Sequence, residues 1–267
     1  MQPHTVHPIQ GPAPFTREMA GHRLSLLPAA GYDVGFIADA DTVGFAFDVQ
    51  TGSHAVGSDR QEDFVRLPNT LALTPGGCDI RSRSDGGGEY LLLSGGSICR
   101  AGDGYRTNIP SKSAFRAASR LRMWLLSGEP PAQLESEACI ARLVAAVQKP
   151  HRPDKAARWM TGKRFQKVTD RIEADLGSSL TVAGLAAEIG VSASFLSRAF
   201  SAYCGQSPYD YIISRRLQRA RALIASTSTP LSEIALGSGF SSQSHMTESF
   251  RTRLGISPSK IARPDNM

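Results

Sequence analysis

The sequence predicts an α+β protein of two parts, a β-rich N-terminal domain followed by an all-α domain with two helix-turn-helix motifs. Three observations carry that prediction. Between Leu180 and Arg263 one pattern occurs twice, as LAAEIGVSASFLSRAFSAYCGQSP (Leu185 to Pro208) and IALGSGFSSQSHMTESFRTRLGISP (Ile234 to Pro258), and an internal repeat outranks any single motif as evidence of architecture. From about Gly21 to Ala114 the texture is different: short β-type runs recur at a spacing of roughly ten to twelve residues between Gly, Pro and Asp. Lys149-Pro150-His151-Arg152-Pro153 separates the two textures, and a proline pair of this kind ends regular structure.

In chain order, 267 residues suffice for two ordinary domains, each with its own core. The composition, 41% hydrophobic and 20% charged, is that of a globular chain. No apolar run approaches the roughly eighteen residues of a membrane span. The opening MQPHTVHPIQGPAPF has no basic segment followed by an apolar one, so no signal peptide is expected. Residues 1–20 read as a flexible arm, and the chain as cytoplasmic and nucleoid-associated.

Residues 21–148 read as a regulatory or dimerisation domain ending in a helix. Its runs are GFIA, VGFAFDV, DFVRL, TLALTP, CDIRSRS and EYLLLSGG, a series that suits an antiparallel sandwich or barrel and not alternating β and α units. DGGGEY (Asp85 to Tyr90) precedes a strand and opens no helix, so it reads as a hairpin turn and not as a phosphate loop. TLALTPGGCDI resembles the turn region of the cupin-like β-barrel, which makes a cupin-like domain the expectation here. An enzyme is not expected. A catalytic metal needs about three protein ligands and an open position, yet of six histidines only His22 and His54 fall in the β region. Cys78, Cys99, Cys139 and Cys204 are scattered, which fits neither a zinc site nor a disulfide framework. No metal and no cofactor are expected.

Arg116 and Arg120, four apart with small residues between them, resemble the RxxxR element with which PilZ-type modules grip a cyclic dinucleotide. Arginine suits that role because its planar fork binds phosphate bidentately and stacks on guanine. They are the candidate effector-binding residues for a small molecule or cyclic dinucleotide, although a basic edge ahead of Trp124 accounts for the pair equally well. Ala132 to Gln148 reads as a helix with Leu134, Cys139, Ile140, Leu143, Val144 and Val147 on one side, a face for packing on the barrel or pairing in a homodimer.

Residues 149–163 read as a basic linker. Between Arg142 and Arg171 nine lysines and arginines stand against Asp154 and Asp170, a run that most often marks a solvated linker and, just ahead of the helical domain, can also touch phosphates. The net charge of +6 and pI near 9.3 have the sign of a nucleic-acid binder.

Residues 164–262 form the helical domain, with its motifs at 181–202 and 229–252. In the repeat Ala186 falls on Ala235, Gly190 on Gly239, and, after a one-residue offset, Leu196 on Met246, Phe200 on Phe250 and Gly205 on Gly255. Gly190 ends a short helix where φ must turn positive, and Ser192 can cap the next. That second helix buries Phe195, Leu196, Ala199 and Phe200 and leaves Ser194, Ser197, Arg198 and Ser201 outside. The second copy repeats the plan with a Ser241/Ser242 cap, Met246 and Phe250 inside, and Gln243, Ser244, Thr247 and Arg251 outside. Tyr209 to Ala225 lacks Gly and Pro and carries apolar residues at helical spacing. It is a rod of about 25 Å, with Arg215, Arg216, Arg219 and Arg221 on its polar face.

With these residues in hand, Gly190 to Ile212 and Arg216 to Arg263 resemble the DNA-binding domain of AraC/XylS-type bacterial transcription regulators. The resemblance covers about a hundred residues, Arg164 to Ala262. It implies a two-lobed helical domain that inserts two recognition helices into successive major-groove segments of double-stranded DNA, with RNA polymerase as a further partner. Ser194, Ser197, Arg198, Gln243, Ser244, Thr247, Glu248 and Arg251 are the residues expected to face DNA. Two departures stand out: Met246 occupies a place where an aromatic is usual, and Glu248 one that is often basic. The alternative reading of the same residues is a protein-interaction module in which the helical repeat is structural.

Overall fold

Alternating apolar residues in the N-terminal half build ten strands in the computed structural model, which describes residues 15–100, 102–127, 131–149 and 155–261. The chain divides into two units, Met1–His151 and Arg152–Met267. The fold is α+β.

In the first unit the strands are β1 (Phe15–Met19), β2 (His22–Leu27), β3 (Tyr32–Ile37), β4 (Thr42–Ala46), β5 (Gln50–Val56), β6 (Glu62–Arg66), β7 (Thr70–Thr74), β8 (Asp79–Ser84), β9 (Tyr90–Ser94) and β10 (Arg106–Pro110). They form a six-stranded sheet in the order β1-β2-β9-β4-β7-β10 and a four-stranded sheet in the order β3-β8-β5-β6, paired antiparallel throughout. Two helices follow, α1 (Lys112–Ser127) and α2 (Gln133–Gln148). One face of the larger sheet, with Leu24, Leu26, Val43, Phe45, Leu71, Leu73, Leu91 and Leu93, shares a continuous core with Ala114, Ala117, Leu121 and Leu125 of α1 and with Ile140, Leu143 and Val147 of α2. The carboxylate of Glu89, just before β9, pairs with Arg122 of α1, and both side chains are almost wholly buried.

Several expectations are corrected by this arrangement. Residues 15–19, read as part of a flexible arm, form β1, because Ala20 (φ 51°) and Gly21 (φ 74°) make a tight two-residue turn of the kind that suits a right-twisted hairpin; residues 1–14 of that arm lie outside the described residues. DGGGEY is not a hairpin turn. It carries the chain from β8 in one sheet to β9 in the other, and Gly87 (φ 56°) passes so close to Ala30 that a Cβ would sit 1.8 Å from its carbonyl oxygen. Strands β1, β2, β5 and β10 and helix α1 add to the elements expected from sequence. The linker reading also changes: Pro150 to Asp154 lies outside the described residues, but 155–159 is helical and the next helix already begins at Gly162.

Among the described residues the regular structure of the second unit is helical: α3 (Lys155–Trp159), α4 (Gly162–Ala174), α5 (Val182–Glu188), α6 (Ala193–Cys204), α7 (Pro208–Ser226), α8 (Leu231–Gly237) and α9 (Gln243–Leu254), then a 3-10 turn at Pro258–Lys260. The ring of Phe165 (α4) packs on Phe200 (α6) at 5.0 Å, and Tyr211 of α7 meets both edge-on. A second core joins Ile213, Leu217, Ala220 and Ile224 of α7 to Ile234, Ala235, Phe240, Met246 and Phe250. Helix α7 therefore serves both lobes. Met246 is fully buried there, and its flexible thioether fills the place an aromatic would take.

Candidate nucleic-acid interface

Each helix-turn-helix motif is set by local signals of the same kind. Helix α5 is capped by Thr181, whose hydroxyl accepts from Gly184 N, and α6 by Ser192, which accepts from Phe195 N. Ser242 caps α9 by accepting from His245 N. Gly190 (φ 71°) and Gly239 (φ 88°) make the turns, in a backbone conformation that non-glycine residues rarely adopt. Gly239 is also pinned sterically: a Cβ there would lie 2.1 Å from the carbonyl oxygen of Leu176.

With those ends fixed, α6 buries Leu196, Ala199 and Phe200, while Ser194 and Arg198 are exposed and Ser197 is half-buried. The Ser197 hydroxyl donates to Ala193 O at 2.9 Å, which leaves its lone pairs free. The Arg198 guanidinium lies 6.0 Å from the Phe195 ring and makes no ion pair among the described residues. On α9, Gln243, Ser244, Glu248 and Arg251 are exposed and Thr247 is half-buried. Glu248 likewise has no ion-pair partner among the described residues. His245, not singled out from sequence, sits beside Ser241 (Nδ1 to Oγ 3.0 Å) with its ring edge-on to Phe240.

Behind the two helices, charged side chains lock the lobes. Arg215 of α7 grips Glu173 of α4 through two nitrogens, with Nη2 to Oε2 at 3.0 Å. Arg216 donates to Leu176 O (3.0 Å) and Ser178 O (2.8 Å), satisfying carbonyls just past the end of α4. Arg253 of α9 donates to Asp210 of α7 at 2.7 Å. Burial pulls the Asp210 pKa upward, but its hydrogen bonds from Ser207 and Arg253 outweigh that and leave it below the usual carboxylate range. Two of the four α7 arginines read as a polar face are thus tied internally, and Arg219 is exposed. The Cys204 thiol is fully buried, which pushes its pKa up to about 12.

Sequence reasoning missed α3. Its Trp159 meets Phe195 of α6 edge-on at 4.9 Å, and Arg164 lies over the indole at 4.5 Å while donating to Trp159 O. The basic run concealed this aromatic anchor, whose partner lies 36 residues away. In the first unit, Arg116 and Arg120 are exposed on α1, and Arg120 pairs with Glu135 of α2 and lies 5.8 Å from the Trp124 ring. Among the described residues no helix is long and apolar enough to cross a membrane.

Comparison with known proteins places this geometry. A family model described as a helix-turn-helix domain matches residues 185–263. A protein named as transcriptional regulator LumQ, from Photobacterium leiognathi, is 34% identical over 93 residues, which are 35% of this chain and 38% of that protein. One named as an AraC-like transcription regulator, from Streptomyces antibioticus, is 32% identical over 109 residues, 40% of this chain and 36% of that protein. The chain thus spans little more than a third of the length of these relatives. A crystal structure from Chromobacterium violaceum, titled as a transcriptional regulator with an AraC-type DNA-binding domain, has 32% identity and a TM-score of 0.35 over 38% of this chain and 95% of that one. The second unit, with its doubled motif on a shared α7, thus matches a helix-turn-helix family model and is similar in sequence to AraC-like regulators.

Proposed function

We propose that the chain is a sequence-specific DNA-binding regulator of transcription, with α6 and α9 lying in two successive major-groove segments. The observation that carries this reading is the mounting of two capped, outward-facing helices on one rod. Helix α7 has 19 residues, about 28 Å of helix, close to the roughly 34 Å that separates successive major-groove faces of one duplex side. Arg198 is the donor suited to a guanine edge, and Ser194, Ser197, Gln243, Ser244 and Thr247 supply adaptable hydrogen bonds. Arg251 is placed for phosphate. Glu248 restrains affinity, because a carboxylate facing a polyanion is unfavourable wherever no cytosine amino group meets it.

In this reading the N-terminal unit controls the DNA-binding unit through a small effector or dimerisation, and RNA polymerase is the downstream partner in the cytoplasm. The test is duplex binding by residues 155–267 and by the whole chain across a salt series. Affinity should fall linearly on a log–log plot with added salt and favour a selected site over scrambled DNA. Absence of salt-dependent duplex binding refutes the reading and leaves the helical repeat as a protein-interaction module.

A further inference from the structure

Phe195, near the start of α6, is not part of the core of its own helix. The buried stripe of α6 is Leu196, Ala199 and Phe200, and those side chains secure the lobe. Phe195 lies off the stripe and is only half-buried. Its backbone is already set, because Phe195 N donates to the capping Ser192 Oγ at 3.2 Å. What remains to be fixed is the direction of its ring.

Trp159 of α3 fixes it. The indole meets the Phe195 ring edge-on, with centroids 4.9 Å apart and planes at 84°, a preferred arrangement of an aromatic pair. Trp159 is itself clamped. Its carbonyl accepts from Thr161 N at 3.0 Å and from Arg164 Nη1 at 2.7 Å, and the Arg164 guanidinium lies 4.5 Å from the ring. Arg164 N donates to Thr161 Oγ1, the cap of α4. The indole is thus tied to the start of α4 and held against α6.

Arg198 follows Phe195 by three residues, a spacing that makes them neighbours on the helix surface. Its guanidinium lies 6.0 Å from the Phe195 ring, within the reach of a cation–π attraction. Arg198 is exposed and makes no ion pair among the described residues. A long side chain held by nothing loses its rotamer freedom on binding, and a surface that narrows its rotamers beforehand lowers that cost. Arg164, Trp159, Phe195 and Arg198 therefore form one ladder of cation, ring, ring and cation. Its first two members lie ahead of residues 185–263, which the family model matches. We propose that Trp159 is a positioning residue for base recognition: acting through Phe195, it presents Arg198 to the major groove, so the selectivity of α6 depends on α3.

The proposal rests on the DNA-binding reading above, and the test separates the two. Full-length parent, Trp159→Ala, Trp159→Phe, Arg198→Ala and the Trp159→Ala, Arg198→Ala double variant are titrated at fixed salt. The probes are a duplex selected by the parent, its single-base-pair variants and scrambled DNA. Trp159→Ala should weaken the selected site about fivefold, the loss of one aromatic pair and its attached cation, and should relax preference at the same base pair as Arg198→Ala. In the Arg198→Ala background the further loss should fall below about twofold. Trp159→Phe keeps a ring against Phe195 and should stay within about twofold of the parent. If Trp159→Ala does not fold, as judged by circular dichroism, Phe195→Leu decides by the same coupling to Arg198→Ala, since it removes the intervening ring and keeps apolar bulk. The proposal is overturned if the two losses multiply independently, if selected and scrambled duplexes lose equally, or if a different base pair relaxes. A parent that prefers no duplex refutes the regulator reading and the proposal together. A parent that selects its site while the losses multiply refutes the proposal alone.

Discussion

Gly190 and Gly239 hold equivalent places in the two helix-turn-helix motifs, yet replacing each with alanine should have unequal consequences. At Gly190 an added Cβ meets nothing within 4 Å. The loss is then the left-handed backbone alone, about 1–2 kcal/mol, reduced by the roughly 0.4–1 kcal/mol that alanine returns by restricting the unfolded chain. A net destabilisation of about 1 kcal/mol is expected. At Gly239 the same backbone term applies at φ 88°, and the Cβ would lie 2.1 Å from Leu176 O and 2.6 Å from Arg216 Nε. Backbone has to move there, which costs about 1–3 kcal/mol for overpacking. The motion also disturbs the Arg216 hydrogen bond to that carbonyl, worth about 1.5–3 kcal/mol for a charged donor. With partial relaxation the total is roughly 3–5 kcal/mol. The chain has two tryptophans, Trp124 in the first unit and Trp159 in the second, so Trp124→Phe leaves Trp159 as the reporter of the helical unit. Urea unfolding of Gly190→Ala and Gly239→Ala in that background gives the two free energies. Losses equal to within about 0.5 kcal/mol would refute the claim that Leu176 and Arg216 pin the second turn.

Three further outcomes are expected. Arg198→Ala should weaken a selected site by about 1–3 kcal/mol and relax preference at one base pair; equal loss on scrambled DNA would make it a phosphate contact. Glu248→Ala should tighten binding to selected and scrambled duplexes alike at two salt concentrations, whereas loss confined to the selected site would show the carboxylate reading a cytosine. Glu89→Gln should destabilise the first unit by about 3–5 kcal/mol by removing the buried carboxylate that pairs with Arg122, and adding Arg122→Met should restore much of that; a double variant no better than the single, by Trp124 fluorescence, would contradict the ion-pair account.

What the sequence made legible was whatever is decided within a few residues. Ser192 and Ser242 cap their helices three residues on, and Gly190 and Gly239 announce positive φ, so both motifs and the exposure of Arg198 and Glu248 could be read directly. Elements decided by distant partners were opaque. Strand β5, QTGSHAV, carries Gln50 and His54 on one face where a strand pattern calls for apolar residues, because Arg66 and Phe64 of the neighbouring β6 join them in one polar and aromatic cluster. An arginine in register with inward-facing Phe64 was the available signal for that cluster. Helix α1 carries Ala114, Ala117, Leu121 and Leu125 at helical spacing, but small alanines and the buried Arg122 blurred the stripe. The pairing of Arg215 with Glu173 spans 42 residues, beyond any local rule.

Because α7 belongs to both cores, the two lobes differ in the order in which a growing chain can complete them. The first lobe has its aromatic core once Tyr211 has been made, and its ties to Arg215 and Arg216 a few residues later. The second needs Met246 and Phe250, roughly forty residues later, a few seconds at about 5–20 residues per second. Throughout that interval Ile213, Leu217 and Ile224 form an apolar strip on an otherwise finished lobe, waiting for α8 and α9 to cover it. The first lobe is thus a template for the second, and the doubled motif, symmetric in its design, is sequential in its assembly.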